Sequence, residues 1–471
     1  MACLRTLAKA NIFRRNSNRN WPMQSSSSIG NPGILDRYFH FAARNTTVER
    51  EVVAGFATFM TMAYIIFVNP LILSGAGMDR TAVIAATCLG AALPCLLMGL
   101  WANYPFCLAS GMGLNAALAI QSTQPGMNWK TMMGVVVVEG AIVTLLVATR
   151  VREQVMHAIP INLKRAIGVG IGMFIAFLGL QQMGWVTKGP GGAFLAPGDF
   201  AVRTTLISTL GLLTLITLLA FRVRGAILIG ILATAALAWG SDQLLPGSTA
   251  LVKTPERWIA SPDFSAIFQA DILGALKPAL VGVVFAFLIT DFFDTMGTVI
   301  GVGGQAGFLD REGRLPRLNR ILMVDSLAAV WGGLCGASSV TTYIESAAGV
   351  SEGGRTGLVS VVVATLFVGA LFFGPVIGAV PAVATAPALL VVGFLMMSVL
   401  REIDVLTPED GIPAFLTMLL IPLTQSISFG IGIGFISYVF LHVCRGKGRE
   451  VSPWLYGIAL VFVVSILTGG K

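Results

Sequence analysis

Charge is what this chain has least of. Only 11% of its 471 residues are Asp, Glu, Lys or Arg, and 55% are hydrophobic; mean hydropathy is +0.81. Soluble domains carry about 25% charged residues, so this composition excludes much soluble mass and defines a polytopic membrane protein set in a lipid bilayer. The net charge of +8 does not indicate nucleic acid, because the basic residues lie in short loops, where the positive-inside rule accounts for them. Cysteine is scarce. Cys3, Cys88, Cys95, Cys107, Cys335 and Cys444 form no CxxC and mostly sit in apolar spans, which argues against a disulfide framework or a thiolate metal site. The histidines, His40, His157 and His442, are scattered near span ends. No metal site and no cofactor are expected. Residues 1–35 contain no apolar stretch of the secretory kind. Basic, Ser-rich and free of acid before Asp36, they are read as a disordered cytoplasmic tail; an organelle transit peptide and a later start at Met23 stay open.

Against that background, carboxylates inside apolar runs stand out. Val281 to Gly303 reads VGVVFAFLITDFFDTMGTVIGVG, long enough to cross a bilayer, with Asp291 and Asp294 at its centre. A crossing helix needs about 20 apolar residues, and an acid at mid-span costs roughly 2.5–3.5 kcal/mol, so the pair marks a functional site by default. Their spacing of three places both on one helix face, directed away from lipid. The alternative is a packing pair satisfied by Ser or Thr neighbours. Cys335 to Gly349 reads CGASSVTTYIESAAG, with Ser338, Ser339, Thr341 and Thr342 just ahead of Glu345. Small and hydroxylated residues around the β-branched Val340-Thr341-Thr342 predict a broken helix whose freed backbone groups line a cavity.

Taken in order, spans are expected near 53–73 (ending at Asn69-Pro70), 81–101, 131–149, 162–183, 204–221, 225–240, 274–303, 319–337, 357–378 and 383–400. A short Gly-rich segment at 104–120, interrupted at Gly111, Gly113 and Asn115, parallels the broken one at 338–350. With the shorter apolar stretches 412–424, 427–443 and 453–467, the chain holds about fourteen segments. Paired broken segments in two halves are a pointer to a transporter site. The expected organisation is a first repeat over 36–240, an extracytoplasmic loop at 241–273, and a second, inverted repeat over 274–471. Arg150, Arg152, Lys164, Arg165, Arg222, Arg224 and the Arg311–Arg320 loop would share the cytoplasmic side with the N-terminus. This reading asks for an odd number of spans before the Arg311–Arg320 loop, and Arg445, Lys447 and Arg449 strain the count.

At these residues the chain resembles a family. TFMTMAYIIFVNP (58–70), GMGLN (111–115), DFFDTMGT (291–298), TTYIESAAG (341–349), GGRTG (353–357) and IPAFLT (412–417) look like the adenine–guanine–hypoxanthine permease branch of the nucleobase–cation symporters, over residues 36–470. The resemblance implies an all-α membrane protein with a 7+7 inverted repeat, core and gate domains, and proton-coupled purine uptake at the plasma (inner) membrane. Carried over by position, the purine-binding carboxylates are Asp291 and Glu345, and Asn115 is a further contact; Asp294 and Asp410, with Thr342 and Thr295, are candidates for proton coupling or support. Ser110 stands where relatives often have Pro, and residues 1–35 have no counterpart.

The chemistry agrees with that implication. A purine edge offers both donors and acceptors; a carboxylate accepts N–H bonds and an Asn side chain reads either kind. Phe292 or Phe293 would stack on the ring or simply pack. Asp410 ties the core to the gate or is a solvated loop acid, and Asp325, five residues after Arg320, reads as interfacial or packing. An intramembrane aspartyl protease would place its acids on two helices, one of them in a GxGD context; here they share one helix, so no enzyme is expected. Anion exchangers would want Arg, Lys or bare helix N-termini at the site. A passive channel would not need acids at both broken elements. Xanthine, uracil and ascorbate carriers remain the alternative for substrate, Na⁺ the alternative to H⁺, and a homodimer an open assembly.

Overall fold

The computed structural model describes residues 34–124, 126–149, 159–189, 195–244, 249–252, 254–255, 257–309 and 315–467, without the side chains at 34, 279, 293 and 465. The expected tail, but for its last two residues, and Arg150, Arg152, Arg311, Arg314 and the Phe293 ring lie outside these described residues.

After the short α1 (Ile34–Phe39), the first half consists of α2 (Val48–Met62), α3 (Ile65–Ser74), α4 (Arg80–Leu97), β1 (Leu108–Ser110), α5 (Met112–Gln121), α6 (Trp129–Ala148) and α7 (Ile161–Gln182). A small hairpin follows, β2 (Val186–Thr187) with β3 (Ala196–Pro197), and then α8 (Arg203–Ala220) and α9 (Ala226–Leu244). The second half runs through α10 (Ile272–Ala275), α11 (Val281–Gln305), α12 (Leu318–Cys335), β4 (Val340–Thr342), α13 (Ser346–Ser351), α14 (Leu358–Ala370), α15 (Gly374–Ala379) and α16 (Ala382–Met396). It closes with α17 (Pro408–Thr424), α18 (Ile427–Cys444) and α19 (Pro453–Leu467). Side-chain caps start several spans by accepting otherwise unpaired N–H groups. Asp79 takes the N–H of Thr81 at 2.8 Å, Asn128 that of Thr131 at 2.8 Å, and Ser426 that of Phe429 at 3.2 Å.

Eleven helical stretches among the described residues are long and apolar enough to cross a membrane. The short segments built on β1–α5, β4–α13, α17 and α19 join them, so the expected set of about fourteen is present, with the last three helices making the second half the longer one. Eight segments precede the loop that holds Arg317, not an odd number. An even number returns the chain to the side from which α2 starts, as shared basic loops require. Lys164 and Arg165 follow four segments, Arg222 and Arg224 six, and Arg445, Lys447 and Arg449 fourteen, so the last cluster no longer strains the count.

The first span also differs from expectation. Pro70 lies inside α3, and the chain breaks earlier, at Ala63–Tyr64 between α2 and α3. Packing falls into two groups. α7, α8, α9, α16, α17 and α18 pack mainly on one another, forming a gate, while α2–α6 and α11–α14 with both strands form a core. Within the core α4 packs on α14 and α6 on α12; β1 pairs with β4, and in the gate α7 crosses α16. Exchanging the halves maps each of these contacts onto another or onto itself, which is what an inverted repeat demands. The α7–α16 crossing is close because it is made by glycine: a Cβ on Gly172 would meet the Gly393 carbonyl at 2.7 Å.

Candidate functional site

The two interrupted segments meet. β1 and β4 pair antiparallel in the register Leu108↔Thr342, Ala109↔Thr341, Ser110↔Val340. The ladder is extended by Gly111 N–H to Ser339 O at 2.8 Å and Tyr343 N–H to Cys107 O at 2.9 Å. β-branched residues in β4 favour the extended backbone. The turn into it uses two left-handed residues, Gly336 (φ 84°) and Ser338 (φ 73°), and the first is a position that only glycine enters without strain. Every strand residue is buried, so pairing strand to strand is how these backbone groups avoid standing unsatisfied at membrane depth. Half-helices α5 and α13 then lead away from the crossing.

Around the crossing lie four acids on three helices, with Glu345 on the broken segment itself. Asp291 (α11) and Glu139 (α6) are both fully buried, and both stand 3.1 Å from one hydroxyl, Ser339 Oγ. Asp325 (α12), also fully buried, accepts from Thr295 Oγ1 at 2.6 Å and from the N–H and hydroxyl of Thr342 at 3.0 and 2.9 Å. Asp294 is exposed on α11 and takes a long 3.4 Å bond from Thr341 Oγ1. Glu345, half-buried ahead of α13, accepts from the Tyr64 hydroxyl at 2.6 Å. The break between α2 and α3 delivers that tyrosine. The open face of α11 continues from Asp294 through Gly297, Ile300, Gly301 and Gly304, and a Cβ on Gly297 would touch nothing within 4 Å. Beside Asp294, then, the face of α11 is left uncovered.

Asn115 is fully buried, and its amide is engaged by protein: Oδ1 lies 3.0 Å from Ser110 Oγ and Nδ2 donates to Asn69 Oδ1 at 2.7 Å. Asn69 in turn donates to Thr87 Oγ1 at 2.8 Å and to Ala337 O at 3.2 Å. Ser110 Oγ also contacts Ala337 O, and the Tyr343 hydroxyl donates to Ser110 O. Here Asn115 ties the start of α5 to the second break. Phe292 is 2% exposed and packs. Asp410 lies apart from the crossing, in the first turn of α17; its charged neighbours are Glu409, Asp404, His442 and Lys447, all of gate elements or their loops. Beside it, Glu409 is held by Arg445 and Lys447.

Three of these residues escape a reading of the sequence. Glu139 carries the same signal as Asp291, a lone acid in an apolar run (MMGVVVVEGAIV), but lacks the Gly- and Ser-rich surroundings that mark a break. Of the two readings of Asp325, interfacial or packing, the second holds, since α12 begins at Leu318 and Asp325 lies about two turns inside it; what escapes is its bonding to Thr295 and Thr342. Tyr64 has no local signal, since only the fold brings it to Glu345, 281 positions away.

Two broken half-helices crossing through a short antiparallel ladder, in a core that faces a separate gate, define a polytopic secondary-transporter membrane domain. The chain matches the model of the xanthine–uracil Permease family over residues 49–433 and belongs to that family. It is 38% identical to the adenine permease AdeP of Escherichia coli, covering 94% of this chain and 98% of that one. It is 39% identical to the guanine/hypoxanthine permease PbuO of Bacillus subtilis, covering 91% and 99%. Among solved structures, the transmembrane domain of the cyanobacterial bicarbonate transporter BicA aligns with TM-score 0.60 at 15% identity, over 81% of this chain and 96% of that one. Murine Slc26a9, an anion transporter in its inward-facing state, aligns with TM-score 0.61 at 11% identity, over 90% and 74%. At such identities the likeness is one of fold.

Proposed function

We propose that this protein is a secondary active transporter that takes up purine nucleobases with protons by alternating access, its gate moving past the β1–β4 crossing. One observation carries the reading: the crossing is lined by acids. Glu345 and Asp294 are the accessible carboxylates there, and they suit the N–H edges of a neutral purine. Asp291 stands behind Ser339 and reaches the ligand only if the crossing shifts. Asn115 supports the floor of the site, and Thr295 and Thr342 orient Asp325. Adenine and guanine/hypoxanthine permeases aligned over nearly their whole length support purines over pyrimidines. The anion-exchange reading has only the fold in its favour, because no Lys or Arg joins this acid cluster among the described residues. Basic loops after even numbers of segments support a cytoplasmic N-terminus, and the plasma (inner) membrane is the proposed location.

The test is uptake of labelled adenine, guanine, hypoxanthine, xanthine and uracil into cells lacking their own permeases. Saturable purine uptake, abolished by a protonophore, is the expected result. Glu345→Gln removes hydrogen bonds to a charged group worth about 1.5–3 kcal/mol, so uptake at low substrate falls by about 10–150-fold. Uptake confined to uracil or xanthine moves the protein to another branch, and full activity in Glu345→Gln removes that residue from the site.

A further inference from the structure

The Ser339 hydroxyl has one hydrogen and two carboxyl neighbours. Glu139 Oε1 and Asp291 Oδ1 each lie 3.1 Å from Ser339 Oγ, and all three residues are fully buried. A hydroxyl donates once. Both contacts are hydrogen bonds only if one carboxyl is itself a donor, that is, protonated. The second oxygen of Glu139, Oε2, has no hydrogen-bond partner among the described residues. A neutral Glu139 that donates to Ser339 leaves a carbonyl oxygen unpaired there; a charged one leaves part of a buried anion unpaired, at far greater cost. The favoured arrangement is a relay: Glu139 donates to Ser339, and Ser339 donates to Asp291.

Resting on the purine–proton reading above, we propose that the coupled proton resides on the Glu139–Asp291 pair bridged by Ser339. Loss of the proton leaves two carboxylates facing one hydroxyl, so one must lose its bond and the crossing must adjust. Ser339 is where that adjustment is transmitted. Its carbonyl accepts from Gly111 at the head of α5, and Thr341 and Thr342, two and three residues on, hold Asp294 and Asp325. The ionisable groups that the elements packed on α6 bring near Glu139 are Asp291 and Asp294 from α11 and Asp325 from α12. Arg320 begins α12 more than a turn before Asp325, and Lys130 and Asp271 lie at the start of α6. With acids on its neighbours and, among the described residues, no base beside Glu139, that carboxyl is neutralised by a proton and not by a salt bridge. Glu139, which contacts no ligand, acts as a positioning and proton-holding residue.

The experiment uses full-length protein in liposomes, with labelled hypoxanthine and adenine as probes and a lumenal pH dye. Wild type is expected to show pH-dependent affinity and accumulation driven by an acid exterior. Glu139→Gln keeps the shape and a donor for Ser339 but cannot release a proton. Its pH profile should flatten, and gradient-driven accumulation should fall by about 5–150-fold, the span of ordinary coupling free energies. Counterflow, which needs no net proton movement, should fall by less. If Glu139→Gln is not recovered folded, Ser339→Ala decides: it keeps both acids and cuts the relay, so its pH profile must shift. A wild-type pH profile and accumulation in either recovered variant overturns the inference and leaves purine transport standing. Wild type that moves neither purine at any pH overturns both.

Discussion

Two glutamates of this protein are equally buried and serve opposite ends. Glu51 and Glu139 are both fully inaccessible, each on a membrane helix. Glu51 accepts four bonds: from the hydroxyls of Thr46 at 2.8 Å and Thr356 at 2.7 Å, and from the backbone N–H groups of Arg355 at 2.8 Å and Thr356 at 3.1 Å. Glu139 has a half share in one hydroxyl. The first is saturated with donors, a fixed acceptor that fastens the 353–357 loop to α2; in that loop Gly353 takes φ 98°, where a side chain would be strained. The second is left short of partners, and a buried carboxyl short of partners is stable only when it can take a proton. Burial alone therefore does not tell a structural acid from a working one; the number of donors does.

The sharpest way to break this comparison is to remove each side chain in turn. Glu51→Ala strands four donors, two of them backbone, and should destabilise the protein by several kcal/mol, since each buried donor left unsatisfied costs about 1–3 kcal/mol. Thermal unfolding of the detergent-purified protein measures it. Glu139→Gln should change melting far less while altering the pH profile. Equal losses of stability in the two variants would dissolve the distinction.

Asp325 tests whether saturation or position decides. It sits at the crossing, as Glu139 does, yet it is saturated as Glu51 is, by Thr295 and by both donors of Thr342. Asp325→Asn turns an acceptor into a mixed group facing those donors and should cost about 1.5–3 kcal/mol. Because Asp325 fixes β4, the loss should appear as weaker purine affinity with an unchanged pH dependence. A shifted pH profile would place Asp325 with Glu139 among the proton-holding acids.

These contrasts mark how far the sequence could be read. Span positions, both breaks and the acids at Asp291, Asp294 and Glu345 are visible because apolar runs are interrupted in place, by local residues. Partnership is not visible. Thr46, Arg355 and Thr356 read as loop residues, and nothing near Glu51 announces that a loop some 300 positions away will enclose it. For Asp325 the sequence leaves interfacial and packing roles open, and only its bonds to Thr295 and Thr342 decide for the second; for Asp410 it offers no partner at all, because α17 packs on α7, which is remote in sequence, as well as on α18. Asn115 looks like a free reader of bases until Ser110 and Asn69 are seen to occupy its amide. A single sequence shows what an acid is and how deep it lies; the donor count that separates its roles is a property of the assembled core.

The smallest expected effect sharpens the comparison most finely, because it removes one donor from an acid that is neither saturated nor starved. Tyr64 donates to Glu345 Oε1 at 2.6 Å, and no other side chain among the described residues bonds that carboxyl. Glu345 is half-buried, so water replaces a lost hydroxyl better here than it could at Glu139. Tyr64→Phe should therefore cost only about 0.5–1.5 kcal/mol, a rise in KM of about 2–13-fold. The hydroxyl joins the break between α2 and α3 to the second half, so its role is to hold the carboxylate still before a ligand arrives. That predicts a rise in KM with little change in the maximal rate. A fall in maximal rate at constant KM would instead mean that Tyr64 is released and remade as the gate moves, and Glu345 would join the moving parts of the cycle.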